Sequence, residues 1–299
     1  MDIISDAVSA MRTGTPHSSV TELRAPWGIR FDPQQGAGFH VITEGTCWLI
    51  PAGGEPVRLV EGDVAFLPRE LGHAIADTPT TPLSGPGPRE TVGTGRTTRM
   101  LCGAYRLDHA RAHPLLAELP DLVHLPGDDR QSPELRGAVD LLRRELATGQ
   151  RAGAPGVLTA LLDVLLLYVL RAWHERQAEQ HTTGWGAALH DPALAAALRA
   201  VHREPAAPWT VQSLADRAGL SRTAFAQRFT ATIGRPPLGY LTWWRMTLAA
   251  RSLRETDLLL RTVAEQVGYT TEYAFARAFK REFHTAPGRY RATHRTPAS

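Results

Sequence analysis

The chain has 299 residues, 43% of them hydrophobic and 21% charged, with a formal net charge of +3. That length admits two domains of ordinary size, the apolar content excludes a disordered chain, and two cysteines exclude a disulfide scaffold. The small net charge hides an asymmetry: residues 190–299 carry 16 Lys+Arg against 8 Asp+Glu, a balance of +8, whereas residues 1–189 carry 17 against 22, a balance of −5. A polyanion suits such a basic half, because Arg and Lys displace condensed counterions from phosphates; a solvated charged surface is the plainer alternative.

Taken in chain order, the opening MDIISDAVSAMRTGTP lacks the basic region and apolar core of a secretory signal, and no run of 18 apolar residues occurs. A cytoplasmic location without a membrane partner is therefore expected. From about residue 22 to 108, short alternating runs (FHVITEG, CWLIPAGG, VRLVEGDVAFLP, HAIAD, MLCGAYRLD) punctuated by Gly and Pro predict a β-rich domain, with AGGEP as a hairpin and residues 78–98 as a loop before the last strand. SPELRGAVDLLRRELATG predicts a helix capped by Ser132 and stopped by Gly149, with Leu135, Val139, Leu142 and Leu146 on one face. Residues 156–177 are apolar nearly all round, which predicts a helix buried on several sides. QAEQHTTGWGAALHD then reads as an interdomain linker.

The C-terminal third holds an internal repeat. WTVQSLADRAGLSRTAFAQRFTATIGRPPLGYL (209–241) lies over LLRTVAEQVGYTTEYAFARAFKREFHTAPGRYR (259–291). Leu214, Ala215 and Gly219 meet Val263, Ala264 and Gly268 at an offset of 49; Phe225, Phe229, Pro237 and Tyr240 meet Phe275, Phe279, Pro287 and Tyr290 at 50. Each unit predicts a short helix, a Gly turn, and a second helix whose two Phe residues share the buried face; Ser221 and Thr270 or Thr271 are the candidate N-caps. This is the helix-turn-helix pattern, in which the second helix enters the major groove of double-stranded DNA.

Residues 190–294 resemble the DNA-binding domain of the AraC/XylS transcription regulators, and VGYTTEYAFARAFKREFHTAPGRYR resembles that family's C-terminal signature, with His284 where the family has Gly. The resemblance implies a helix over residues 236–256 joining two reading units. It places Arg222, Thr223, Ala226 and Gln227 on the first reading helix, with Arg228 competing with Gln227 for the base contact. On the second it places Glu272, Tyr273, Ala276 and Arg277. Arg277 would read guanine, Gln227 adenine, and Glu272 would accept from cytosine. Lys280, Arg281, Arg289 and Arg291 would hold phosphates. RNA polymerase is a further expected partner if the protein activates.

GDVAFLPRELGHAIAD (62–77) is similar to the second motif of cupin barrels, and the first motif is left with His40 and nearby Glu44. With CGAY near the barrel's end, residues 1–125 resemble the cupin-like sensor of one branch of these regulators. Its chemistry concentrates in His40, Cys47, His73 and Cys102. Two His and two Cys are a tetrahedral zinc set. A thiol redox switch using Cys102, with or without Cys47, is the second reading, and inert buried groups are the third. The resemblance also makes residues 126–180 a helical dimerisation segment, hence a homodimer, against an intramolecular core helix.

The expected architecture is a multidomain α+β chain: cupin-like β-barrel (1–125), helical segment (126–180), linker (181–192) and an all-α domain of two helix-turn-helix units (193–294). The expected function is sequence-specific transcription regulation in which the barrel senses a small molecule, metal or oxidant. A metal-dependent cupin oxygenase or isomerase fused to a DNA-binding domain is the alternative. Two thiolates suit a closed zinc site better than an open catalytic one, so no enzyme is expected.

Overall fold

The structure is a computed structural model that describes residues 3–11, 16–34, 36–69, 71–86, 93–106, 113–127, 132–147, 151–180 and 183–295. The chain divides into two compact units: residues 12–112 with 116–173, and residues 1–11 with 113–115 and 174–299. Residues 1–11 and 113–115 group with the C-terminal helices. The first of these segments is helix α1 (Ile3–Met11), whose Ile3, Ile4, Ala7, Ala10 and Met11 share one buried face.

The first unit contains strands β1 (His17–Arg24), β2 (Gly28–Phe31), β3 (Ala37–Glu44), β4 (Thr46–Pro51), β5 (Val57–Val60), β6 (Val64–Leu67), β7 (His73–Ala76), β8 (Ser84–Pro86) and β9 (Thr97–Tyr105). They are followed by α2 (Pro114–Ala117), β10 (Val123–Leu125), α3 (Pro133–Ala147) and α4 (Ala154–Gln180). Two five-stranded sheets form, ordered β1-β9-β3-β6-β10 and β5-β4-β7-β2-β8, and every pairing is antiparallel except β2 with β8. Apolar residues from both sheets, among them Ile42, Leu49, Leu59, Ile75 and Met100, fill the space between them, with Trp27 from the β1–β2 connection.

AGGEP does connect β4 to β5 as a hairpin. The Gly-Asp pair that opens the cupin-like motif has a structural purpose. Gly62 sits at φ +92°, and a Cβ there would come within 3.1 Å of the Gly127 Cα. Asp63 accepts from the backbone N–H groups of Val60 (3.1 Å) and Gly127 (2.9 Å) and meets His124 Nε2 at 2.8 Å. Burial pushes the Asp63 carboxyl up, but His124 and these backbone donors outweigh it and hold it below the usual carboxylate range. The expected loop over 78–98 contains β8; its residues 87–92 lie outside the described residues.

Ser132 stands at the α3 N-cap, its carbonyl accepting from Arg136 N at 3.3 Å, while Gly149 lies outside the described residues. Helix α4 buries Leu162, Leu165, Leu166, Val169 and Leu170, and the Tyr105 hydroxyl donates to the Leu162 carbonyl at 2.6 Å. Its residues 154–177 are long and apolar enough, by composition, to cross a membrane, with a mean hydropathy of 1.8.

The second unit continues with α5 (Gly184–His190), α6 (Pro192–Arg203), α7 (Val211–Ala218), α8 (Arg222–Ile233), α9 (Pro237–Glu255), α10 (Leu260–Gln266), α11 (Glu272–Phe283) and α12 (Pro287–His294). The stretch 181–192, expected as a linker, therefore holds helix α5, which exists because Trp185 is fully buried against the aromatic core of this unit. The caps follow the sequence: Ser221 Oγ accepts from Ala224 N, and Thr271 rather than Thr270 accepts from Ala274 N at 3.1 Å. The repeat is also a packing repeat. Phe225 and Phe229 meet Tyr240 in one half, Phe275 and Phe279 meet Tyr290 in the other, and all six are buried. Each such aromatic contributes on the order of 2 to 3 kcal/mol of burial. Helix α9, of 19 residues, runs roughly 28 Å between the halves.

Candidate functional site

Two places carry chemistry, one in each unit. In the helical unit, Arg222, Thr223, Gln227, Glu272, Tyr273 and Arg277 are exposed on α8 and α11, while Ala226 and Ala276 sit half-buried between them. Arg222, Arg277 and Lys280 make no ion pair among the described residues. Tyr273 is 79% exposed, the most exposed large apolar side chain described. An aromatic ring in water at the start of a helix gains nothing for the fold and is available to a partner.

Gln227 and Arg228, the competing candidates, are both exposed, and they differ in their partners. Arg228 Nη2 lies 2.6 Å from Asp191 Oδ2, and Asp191 is also the N-cap of α6. Arg228 thus has a partner within its own unit, whereas Gln227 is exposed on the same helix. Arg291, expected among the phosphate contacts, is half-buried, and its Nη2 donates to the Leu258 carbonyl, holding α12 to the segment before α10. Lys280, Arg281 and Arg289 are exposed.

In the β-rich unit, His40 on β3 stands directly opposite Cys102 on β9, and Phe31 on β2 stands opposite His73 on β7. Cross-strand pairing therefore brings three of the four expected residues together from two sheets. Cys102 Sγ lies 3.0 Å from His40 Nδ1, and His40 Nε2 lies 2.7 Å from His73 Nε2. The Phe31 ring stacks on His73 at 4.7 Å. These residues line a cavity of about 150 Å³, together with His17 and Ser19 of β1.

Cys47 is not part of this group. It is fully buried in the apolar core opposite Leu59, whereas Cys102, 9% exposed, reaches the cavity wall. Burial pushes the Cys102 thiol up to about 12, against a lowering hydrogen bond from Thr21. Cys47 is pushed up to about 12 by burial, then by Cys102 and Asp63. Burial, and then His73, holds His40 well below the usual histidine range, so it is neutral. A neutral His40 and a protonated thiol make a directed chain: Sγ–H donates to Nδ1, and Nε2–H donates to His73 Nε2.

A cupin barrel implies a bound metal, and the residues present do not fit one. Two imidazole nitrogens 2.7 Å apart share a proton and leave no room for an ion between them, and Cys102 approaches the opposite nitrogen of His40. Among the described residues, no group of three or more His, Cys, Asp or Glu is arranged to hold a metal ion. A wider cleft of about 910 Å³ beside α3 holds Arg99 and Arg143. Both are already paired, with Glu22, Glu44, Glu61 and Asp140, so the smaller cavity is where unspent chemistry lies.

Two helix-turn-helix units joined by one long helix, with a two-sheet β-domain carried on the same chain, define a DNA-binding transcription regulator with a cupin-like N-terminal domain. Residues 2–175 match the family described as Cupin, and residues 214–293 match the family described as Helix-turn-helix domain. A putative AraC-like transcription regulator of Streptomyces lividans is 35% identical over 97% of this chain and 98% of its own length. The RCS-specific HTH-type transcriptional activator RclR of Escherichia coli is 31% identical over 85% of this chain and 83% of its own. Among solved structures, the DNA-binding domain of AdpA in complex with a target DNA covers 34% of this chain and 92% of that one, at 31% identity and a TM-score of 0.33. The chain belongs to the AraC-like transcription regulators.

Proposed function

We propose that the barrel cavity is the effector site of this regulator and that Cys102 is the atom on which the signal is written. The observation that carries this reading is the Cys102–His40–His73 chain at the wall of a cavity. Burial holds the thiol protonated and so slows its oxidation, which restricts the site to a small, strong two-electron oxidant that can enter the cavity. In that step the oxidant transfers one oxygen atom to Sγ, the thiol becomes a sulfenic acid, and the oxidant departs reduced. A relative of this chain bears the name of an RCS-specific activator, which supports a signal-specific role for this site.

On the DNA, Gln227 and Arg277 read bases, with Arg222, Thr223, Glu272 and Tyr273 beside them, and Lys280, Arg281 and Arg289 hold phosphates. The regulator is a homodimer through α4. Val157, Leu161, Val164 and Tyr168, at alternating spacings of four and three, form an outward apolar seam in which Val157 is 44% and Val164 37% exposed.

The test measures DNA affinity of the full chain before and after stoichiometric hypochlorite or hydrogen peroxide, with metal content read by elemental mass spectrometry on the same sample. The expected result is an oxidant-dependent change in affinity that Cys102→Ser abolishes and Cys47→Ser retains. An unchanged response in Cys102→Ser refutes the assignment; about one zinc per chain, lost in His40→Ala or His73→Ala, replaces it by the metal reading.

A further inference from the structure

Helix α1 lies far from the reading helices in sequence, yet it is built into their unit. Its polar contacts reach both halves of the repeat. Toward the first half, Asp6 Oδ2 lies 3.3 Å from His202 Nδ1, and His202 Nε2 lies 2.6 Å from the Tyr240 hydroxyl. Tyr240 in turn packs on Phe229 of α8, with ring centroids 6.0 Å apart. Toward the second half, the Ala10 carbonyl accepts from Arg254 Nη2 at 3.4 Å, and Arg254 Nη1 donates to the Tyr290 hydroxyl at 2.9 Å. Tyr290 packs on Phe279 of α11, with centroids 5.3 Å apart. Arg251 adds a bond from Nη1 to Ser9 Oγ at 2.7 Å.

Tyr240 and Tyr290 are equivalent positions of the internal repeat, as are Phe229 and Phe279. One short helix therefore engages the same aromatic position in both halves, once through a histidine and once through an arginine. Asp6, His202 and Arg254 are all buried. Polar side chains with fixed partners in an apolar setting select one arrangement of the elements they join, because any other leaves them unsatisfied.

We propose that α1 is a splint of the DNA reader: it fixes the two helix-turn-helix halves relative to one another, and so sets the spacing at which α8 and α11 meet DNA. Asp6, His202, Arg254 and Tyr290 are positioning residues, not DNA contacts. This inference rests on the reading of α8 and α11 as the DNA-contacting helices.

The test uses the full chain and a duplex selected by it from a random library, with a second duplex in which the segment protected by α11 is scrambled. Ala7→Arg places a charge on the buried face of α1, and Asp6→Ala with Ser9→Ala removes the side-chain ties while keeping the apolar face. The expected result, by fluorescence anisotropy, is a loss of tenfold or more on the two-segment duplex with less than a twofold change on the scrambled one. Equal losses on both duplexes, or no loss on either, for the Asp6→Ala/Ser9→Ala protein overturn the splint. Should Ala7→Arg fail to fold, that second protein alone decides. Arg222→Ala and Arg277→Ala are measured in parallel: if neither changes affinity or base preference, the reading of α8 and α11 fails, and that failure is visible separately from the splint's.

Discussion

Tyr240→Phe removes one oxygen atom from a fully buried side chain and leaves its ring in place. Its hydroxyl stands between two histidines, 2.6 Å from His202 Nε2 and 3.3 Å from His113 Nε2. Leu115 N donates to His113 Nδ1 at 3.1 Å, so His113 carries its proton on Nε2 and donates to Tyr240. Tyr240 then donates to His202, and His202 donates from Nδ1 to Asp6. Burial, and then Asp6, pushes the Tyr240 hydroxyl well above its usual range, so it stays a donor. Deleting it leaves a buried acceptor on His202 and a buried donor on His113, each costing roughly 1 to 3 kcal/mol. The expected destabilisation is about 2 to 6 kcal/mol. Urea unfolding followed by tryptophan fluorescence measures it, because Trp185 and Trp243 lie 5.7 Å from the Tyr240 ring. Combining Tyr240→Phe with His202→Leu should cost less than the two changes summed. A cost below about 0.5 kcal/mol for Tyr240→Phe, within the range of ordinary surface substitutions, refutes the directed chain.

Three further outcomes follow from the same geometry. Burial holds His40 and His113 well below the usual histidine range and His174 down to about 4. Each is neutral when folded and takes up a proton when unfolded, so stability is full above about pH 6.5 and falls below it, by up to about 1.4 kcal/mol per pH unit for each group; a melting temperature flat from pH 7 to 5 contradicts this. His284 holds φ 55° at the α11 C-cap, where the first half has Gly234 at φ 77°. His284→Gly should therefore raise stability by roughly 0.5 to 1 kcal/mol, the left-handed cost less the entropy of glycine, read by thermal melting. Val164→Glu should weaken self-association at least tenfold in sedimentation equilibrium, and an unchanged dimer would remove α4 as its seam.

What sequence alone determined is what neighbours along the chain decide. The repeat, the Phe pairs, the Ser221 cap and the AGGEP hairpin depend on periodicity and local hydrogen bonds within a few residues, and each stands where the pattern puts it; of the two candidates for the second cap the structure uses Thr271. The cavity group was half legible: residue types singled out His40, Cys47, His73 and Cys102, but only strand register could separate Cys102, opposite His40, from Cys47, opposite Leu59. The intramolecular partners of Arg228 and Arg291 were not legible either, because Asp191 and the Leu258 carbonyl lie 37 and 33 residues away. Helix α5 hid in an apparent linker because its reason to exist, a buried Trp185, lies in the core around it. The place of α1 had no local signal at all. Nine residues are too few to hold a helix in water on their own, so its identity as part of the reader comes from Asp6, Ser9 and Ala10 finding partners 196, 242 and 244 residues on. Long-range pairing of this kind is fixed by complementary buried groups in three dimensions, and it leaves no periodic trace in one.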